Sequence, residues 1–101
     1  MDLAQKELAE RQAELCRVFG NATRILILWI LADRELAVTD IANEVGTSLQ
    51  NVSQHLAMLK AHEIVSPRRV GHTIYYRLSD HEWIKECPVL LKAPRPTLVE
   101  E

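Results

Sequence analysis

Between Thr47 and Ala57 the chain carries no Lys, Arg, Asp or Glu. In their place stand Thr47, Ser48, Gln50, Asn51, Ser53, Gln54 and His55, all neutral hydrogen-bonding groups. Leu49, Val52, Leu56 and Leu59 recur among them at helical spacing, which predicts a helix over about 49–62 with Ser48 as its N-cap and that apolar stripe inward. Helix surfaces are usually dressed with Lys and Glu. Small amides and hydroxyls are instead the groups that match nucleic-acid bases. Asn and Gln meet adenine in two-point contact, Ser and Thr meet bases or phosphates, and a helix N-terminus favours a phosphate oxygen. A solvated helix with an indifferent polar surface fits the same residues equally well, so the surroundings must decide.

Charge shifts the balance toward DNA. Over residues 47–77 the cations are Lys60, Arg68, Arg69 and Arg77 against the single acid Glu63, a net +3 in a chain whose total is −2. Positive charge therefore gathers where phosphates would need neutralising. Arg68 and Arg69 stand beside Gly71, at the tip of a predicted hairpin, with His72 next to it. His55 has two readings: a half-buried, hydrogen-bonded ring, or a contact to the DNA backbone. His62, near a helix C-terminus, suits the helix dipole there better than it suits a ligand role.

The elements that must position these residues follow from periodicity. Residues 3–19 read as a helix with Leu8, Leu15, Val18 and Phe19 on one side. Gly20-Asn21 breaks it, and Asn21 caps a second helix over about 22–32. Its run from Ile25 to Leu31 is apolar all round and reads as the buried central helix. A polar turn at Asp33-Arg34-Glu35 leads to a short helix over about 38–45, with Ile41, Ala42 and Val45 inward and Gly46 as its stop. The period then drops to two: Ile64–Arg69 and His72–Leu78 flank Val70-Gly71 as a β-hairpin. Ser79 or Asp80 caps a last helix that Pro88 interrupts. The expected class is mainly α with a small β-hairpin wing, a winged helix-turn-helix in the order α-α-α-α-β-β-α. It forms a single domain over 1–87, with a Pro-interrupted tail over 88–101.

Composition excludes several classes. The chain has 101 residues, room for one domain, and 48% apolar with 26% charged residues is ordinary for a globular protein. The longest apolar run, Ile25 to Ala32, is far short of the ~20 residues that span a bilayer. No basic-then-apolar leader is visible, and two cysteines are too few for a disulfide scaffold, so a cytoplasmic protein with reduced thiols is expected. No Ser/His/acid or Cys/His constellation and no glycine-rich phosphate loop is present, which argues against an enzyme.

The stretch from Leu15 to about Leu78 resembles the ArsR/SmtB family of winged-helix repressors. The matching phrases are Phe19-Gly20-Asn21-Ala22-Thr23-Arg24-Ile25, Asp40-Ile41-Ala42, Val52-Ser53-Gln54-His55-Leu56-Ala57-Met58-Leu59, Ile64-Val65, Arg69-Val70-Gly71-His72 and Ile74-Tyr75-Tyr76. The resemblance implies a homodimer on an imperfect palindromic operator in double-stranded DNA, with the first and last helices at the dimer interface. It also implies DNA contacts from Ser48, Gln50, Asn51, Ser53, Gln54, His55, Arg69 and His72. To these the residue pattern adds Thr47, Lys60 and Arg68. Two departures matter. Where arsenic- and cadmium-sensing members carry Leu-Cys-Val-Cys-Asp-Leu, this chain has Leu36-Ala37-Val38-Thr39-Asp40-Ile41, without thiols. Where zinc-sensing members spread ligands along the last helix, Asp80, His81 and Glu82 are adjacent, and neighbours on a helix point about 100° apart. No resident metal site is therefore expected.

Sensing is left to Cys16 and Cys87. If both helices meet at the dimer interface, the two thiols become neighbours and form a redox or sulfur switch, given Cα atoms within about 7 Å. The pair otherwise joins a thiophilic-ion site, or both are small buried hydrophobes. The functional expectation is a homodimeric repressor released by a small inducer or by thiol modification. A winged-helix module that contacts only protein is the alternative.

Overall fold

A computed structural model of the chain describes residues 1–80 and Ile84. Five helix and hairpin expectations meet the observed elements within two residues: α1 Leu3–Phe19, α2 Ala22–Ile30, α3 Val38–Val45, α4 Leu49–Ala61, and a hairpin of β2 Val65–Val70 and β3 Thr73–Leu78. One strand was not foreseen. Leu36–Ala37 form β1, antiparallel to β3, so the sheet runs β1-β3-β2. The expected last helix and Pro88 lie outside the described residues, Ile84 excepted, which is buried; of the two expected caps, Ser79 Oγ bonds Ser66 Oγ at 3.0 Å and Asp80 accepts from Arg77 at 3.2 Å.

Side-chain caps set the boundaries. Asp2 accepts from Gln5 N–H at 2.8 Å while Gln5 accepts from Asp2 N–H at 3.3 Å, a reciprocal capping box that starts α1. Asn21 accepts from Arg24 N–H at 3.0 Å and starts α2, as its sequence position predicts. Gly46 ends α3 at φ 82°, with Ala42 C=O accepting from both Gly46 and Thr47 N–H. α4 ends the same way with a less suitable residue. Glu63 sits at φ 59°, Ile64 N–H bonds Leu59 C=O at 2.9 Å and Glu63 N–H bonds Lys60 C=O at 2.9 Å. A left-handed backbone at a residue with a Cβ costs about 1 kcal/mol or more.

The core gathers from every helix and the sheet: Val18 of α1, Ile27 and Leu28 of α2 with Leu31 just past it, Ile41 and Ala42 of α3, Val52, Leu56 and Leu59 of α4, then Ile64 and Val65. Three apolar expectations need correction. Leu49 opens α4 and stands 47% exposed, because the first turn projects past the end of the core stripe. Leu26 points outward from α2, so that helix is buried on one side and not all round. Leu8 is 57% exposed, and Val18 is the one fully buried residue of α1, whose first half stands clear of the protomer core.

The C-terminal half of α1 is held by polar ties. Glu14 accepts from Arg17 at 2.6 Å and bonds His62 Nε2 at 3.0 Å, and His62 Nδ1 bonds Met58 C=O at 2.9 Å. Arg17 first, then His62, hold the Glu14 carboxyl down at about 2.

Candidate nucleic-acid interface

α3 and α4, joined through the Gly46 turn, form the helix-turn-helix pair. Much of the hydrogen bonding at the start of α4 goes into building it. Ser48 Oγ accepts from Asn51 N–H at 3.0 Å, and Asn51 Nδ2 donates to Thr47 Oγ1 at 3.1 Å. Thr47 and Asn51 are half-buried accordingly, and Ser48 is exposed. Gln50, Ser53 and Gln54 are exposed, and their side chains bond no described residue. With 3.6 residues per turn, positions 50, 53, 54 and 57 fall on one face. Ala57, which sequence reasoning left without a role, is exposed on that face, where its small side chain lets a partner approach the helix closely. Lys60 lies exposed at the edge of the same stripe.

His55 lies elsewhere. It is 100° on from Gln54, toward the core flank, and half-buried. Its Nδ1 faces Arg24 Nη1 at 3.3 Å. A guanidinium has only donors, so Nδ1 accepts and the neutral ring carries its proton on Nε2. Of the two readings for His55, the held ring describes its observed contacts. Burial first, then Arg24, push its pKa below the ordinary value of 6.5. Below that value the unfolded chain takes up a proton that the folded chain refuses. Stability is expected to fall as pH drops from 6.5 toward the folded-state value, and His55→Gln is expected to flatten that part of a melting-temperature series against pH.

The wing separates its cations by face. In the antiparallel register Val65, Pro67 and Arg69 oppose Leu78, Tyr76 and Ile74. This is the side on which Val65 enters the core beneath α4 and Tyr76 and Leu78 pack against it. Arg69 extends that row to the exposed tip, where it makes no ion pair with a described residue. Arg68 and Arg77 fall on the opposite face. Arg68 donates to Glu35 at 3.0 and 2.6 Å with its guanidinium 5.4 Å from the centre of the Tyr75 ring, and Arg77 pairs with Asp80 at 3.2 Å. Counting charge over residues 47–77 left out both of these carboxylates. Arg68, expected at DNA, pairs with Glu35 and lies on the face opposite Arg69. Lys60 and Arg69 remain as the cations beside the polar stripe, with exposed His72 at the turn.

An exposed uncharged stripe on the second helix of a helix-turn-helix, flanked by a wing, invites comparison with known regulators. Residues 21–66 match the family model described as bacterial regulatory protein, arsR family. A crystal structure of NolR from Sinorhizobium fredii superposes with a TM-score of 0.77 at 38% identity, covering 85% of each chain. The chain belongs to the arsR family. Its similarity extends to the HTH-type transcriptional regulator KmtR of Mycobacterium tuberculosis, 48% identical over 76 residues, which are 75% of this chain and 58% of KmtR. This chain thus spans less than two thirds of that relative. An NMR structure of a homodimeric winged helix-turn-helix DNA-binding domain from Mycobacterium bovis gives a TM-score of 0.74 at 31% identity, covering 85% of this chain and 79% of that one.

Of the two cysteines expected to sense, only one lies among the described residues. Cys16 is exposed on α1, so the reading of a small buried hydrophobe does not describe it in the protomer. Cys87, His81 and Glu82 lie outside the described residues. Among the described residues no three His, Cys, Asp or Glu side chains group as a metal ion requires. No described helix is long and apolar enough to cross a membrane.

Proposed function

We propose that the chain is a homodimeric, sequence-specific DNA-binding repressor that reads a palindromic operator through α4 in the major groove. The observation that carries this reading is the exposed, uncharged stripe of Gln50, Ser53 and Gln54 on the second helix of the pair. Ser48, Thr47 and Asn51 at the start of α4 shape its approach, Lys60 and Arg69 meet phosphates on either side, and His72 touches the backbone from the wing turn. The dimer is supported by the homodimeric Mycobacterium bovis domain and by the bare first half of α1, with Leu3 and Leu8 exposed. A two-fold axis would place two copies of α4 about one DNA turn apart, roughly 34 Å.

Selection of duplexes from a random-sequence pool, followed by gel-shift titration of the full chain, tests this reading. A palindromic motif whose preference survives raised salt is expected. Binding with no preference among duplexes, or none at low salt, would refute it and favour a module that contacts only protein. Arg69→Ala is expected to weaken selected and scrambled duplexes alike and to reduce the slope of log affinity against log salt by about 1 per subunit. Fluorescence anisotropy over a salt series measures it.

Release by a small inducer or by thiol modification completes the proposal, with Cys16 and Cys87 as the responsive thiols and a thiophilic ion as the competing ligand. Native mass spectrometry after diamide and then dithiothreitol distinguishes a disulfide, a persulfide and a bound metal. Detecting none of them removes both thiols from the switch.

A further inference from the structure

The face of the wing opposite Arg69 carries a connected group, Glu35, Arg68 and Tyr75. We propose that Glu35, Arg68 and Tyr75 form a strap that sets the direction of the wing tip, with Glu35 and Arg68 acting as positioning residues for operator discrimination and not as DNA contacts. This rests on the DNA-binding reading above.

The sheet order places β3 between β1 and β2. Arg68 on β2 lies over the ring of Tyr75, its register partner on β3, and closes a two-pronged bond on Glu35, the residue before β1. One side chain thereby links β2, β3 and the residue that leads into β1. A guanidinium supplies two parallel N–H donors and a flat face for the ring, whereas a lysine ammonium supplies neither.

The place of the crossing gives it leverage. β1 ends at Ala37, opposite Tyr75. Beyond that row only β2 and β3 continue, through Arg69–Val70 and Thr73–Ile74. An isolated two-stranded ribbon is marginal in water, so the last three-stranded row must aim it. Arg69 follows Arg68 directly and points to the opposite face, toward the α4 side. At its other end Glu35 leads through β1 into α3, the first helix of the DNA-reading pair. The strap therefore ties the wing tip to the body that carries α4. The pair is half-exposed, and exposed ion pairs add little to global stability, so its consequence falls on orientation more than on folding.

The test uses the full chain, a duplex selected from a random pool and its scrambled counterpart, with Glu35→Gln, Arg68→Gln, the double variant and Arg69→Gln compared by anisotropy over a salt series. Glu35→Gln and Arg68→Gln are each expected to cut the selected-to-scrambled affinity ratio roughly threefold to tenfold. The double variant should do no worse than either single one. Arg68→Gln should leave the salt slope at the wild-type value while Arg69→Gln lowers it, and thermal melts should stay close to wild type. Three results overturn the proposal: an Arg68→Gln variant that weakens both duplexes equally with a flattened slope, a Glu35→Gln variant that tightens both with discrimination intact, or single effects that simply add. A wild-type chain that prefers no duplex overturns the DNA reading itself, and the strap's role with it, and is told apart because it is seen before any variant is made.

Discussion

Arg24→Ala is expected to lower the stability of the fold by about 2–3 kcal/mol, with the thermal midpoint falling by roughly 10–20 °C. The Arg24 side chain ties α2 to the end of α1 and to α4. Its Nε donates to Val18 C=O at 2.7 Å and its Nη2 to Arg17 C=O at 3.3 Å, the carbonyls at the end of α1. Its Nη1 donates to His55 on α4, and its own N–H is the one that Asn21 caps. A helix end leaves carbonyls without intrahelical partners, and here a cation supplies them. Removal orphans the Val18 carbonyl and the Nδ1 acceptor together, while Arg17 C=O keeps the Gly20 N–H at 3.2 Å. Water reaches part of the site, which keeps the estimate to the lower range for charged hydrogen bonds. Arg24→Lys is expected to recover less than half of the loss, because one ammonium cannot fork between two carbonyls and an imidazole. Urea titration with an unchanged m-value measures both. A loss below about 0.5 kcal/mol for Arg24→Ala would mean that solvent already satisfies these carbonyls.

How far the sequence revealed this molecule depends on how local each determinant is. Gly46, Asn21 and Ser48 were legible because a cap acts within a few residues of itself, and each caps the expected helix. The hairpin tip at Gly71 was legible for the same reason, with φ at 63°. β1 was not, because two residues show no alternation and pair only with a strand about 40 positions away. Arg68 illustrates the same limit at the site. A charge count along the chain cannot see that its partner, Glu35, lies 33 positions upstream and neutralises it. His55 could be placed beside the core from the position of Leu56, yet the Arg24 contact that fixes its tautomer, 31 positions away, could not be read. The exposed stripe was legible because the absence of charge over Thr47–Ala57 is a property of the helix itself. Its division into residues that build the helix start and residues that remain available was not.

That division gives the second large effect. Gln54→Ala is expected to cost about 1–3 kcal/mol of discrimination between a selected duplex and one with a changed contacted base pair, roughly a 5- to 150-fold loss. Its folding stability should stay within about 0.5 kcal/mol of wild type, since the side chain is exposed and bonds no described residue. Gln50→Ala should behave alike. Asn51→Ala should not, although composition alone groups the three amides together. Its Nδ2 donates to Thr47 Oγ1, and the residue is half-buried at the first turn of α4. Losing that bond loosens the turn that aims the whole stripe, so both stability and affinity for every duplex should fall. Thermal melts paired with anisotropy on matched and single-base-changed duplexes separate the two behaviours. If Gln54→Ala left discrimination intact while Asn51→Ala abolished it without loss of stability, base reading would belong to the edge of α4 that faces Thr47, and the docking of the helix in the groove would have to be rotated by about a quarter turn.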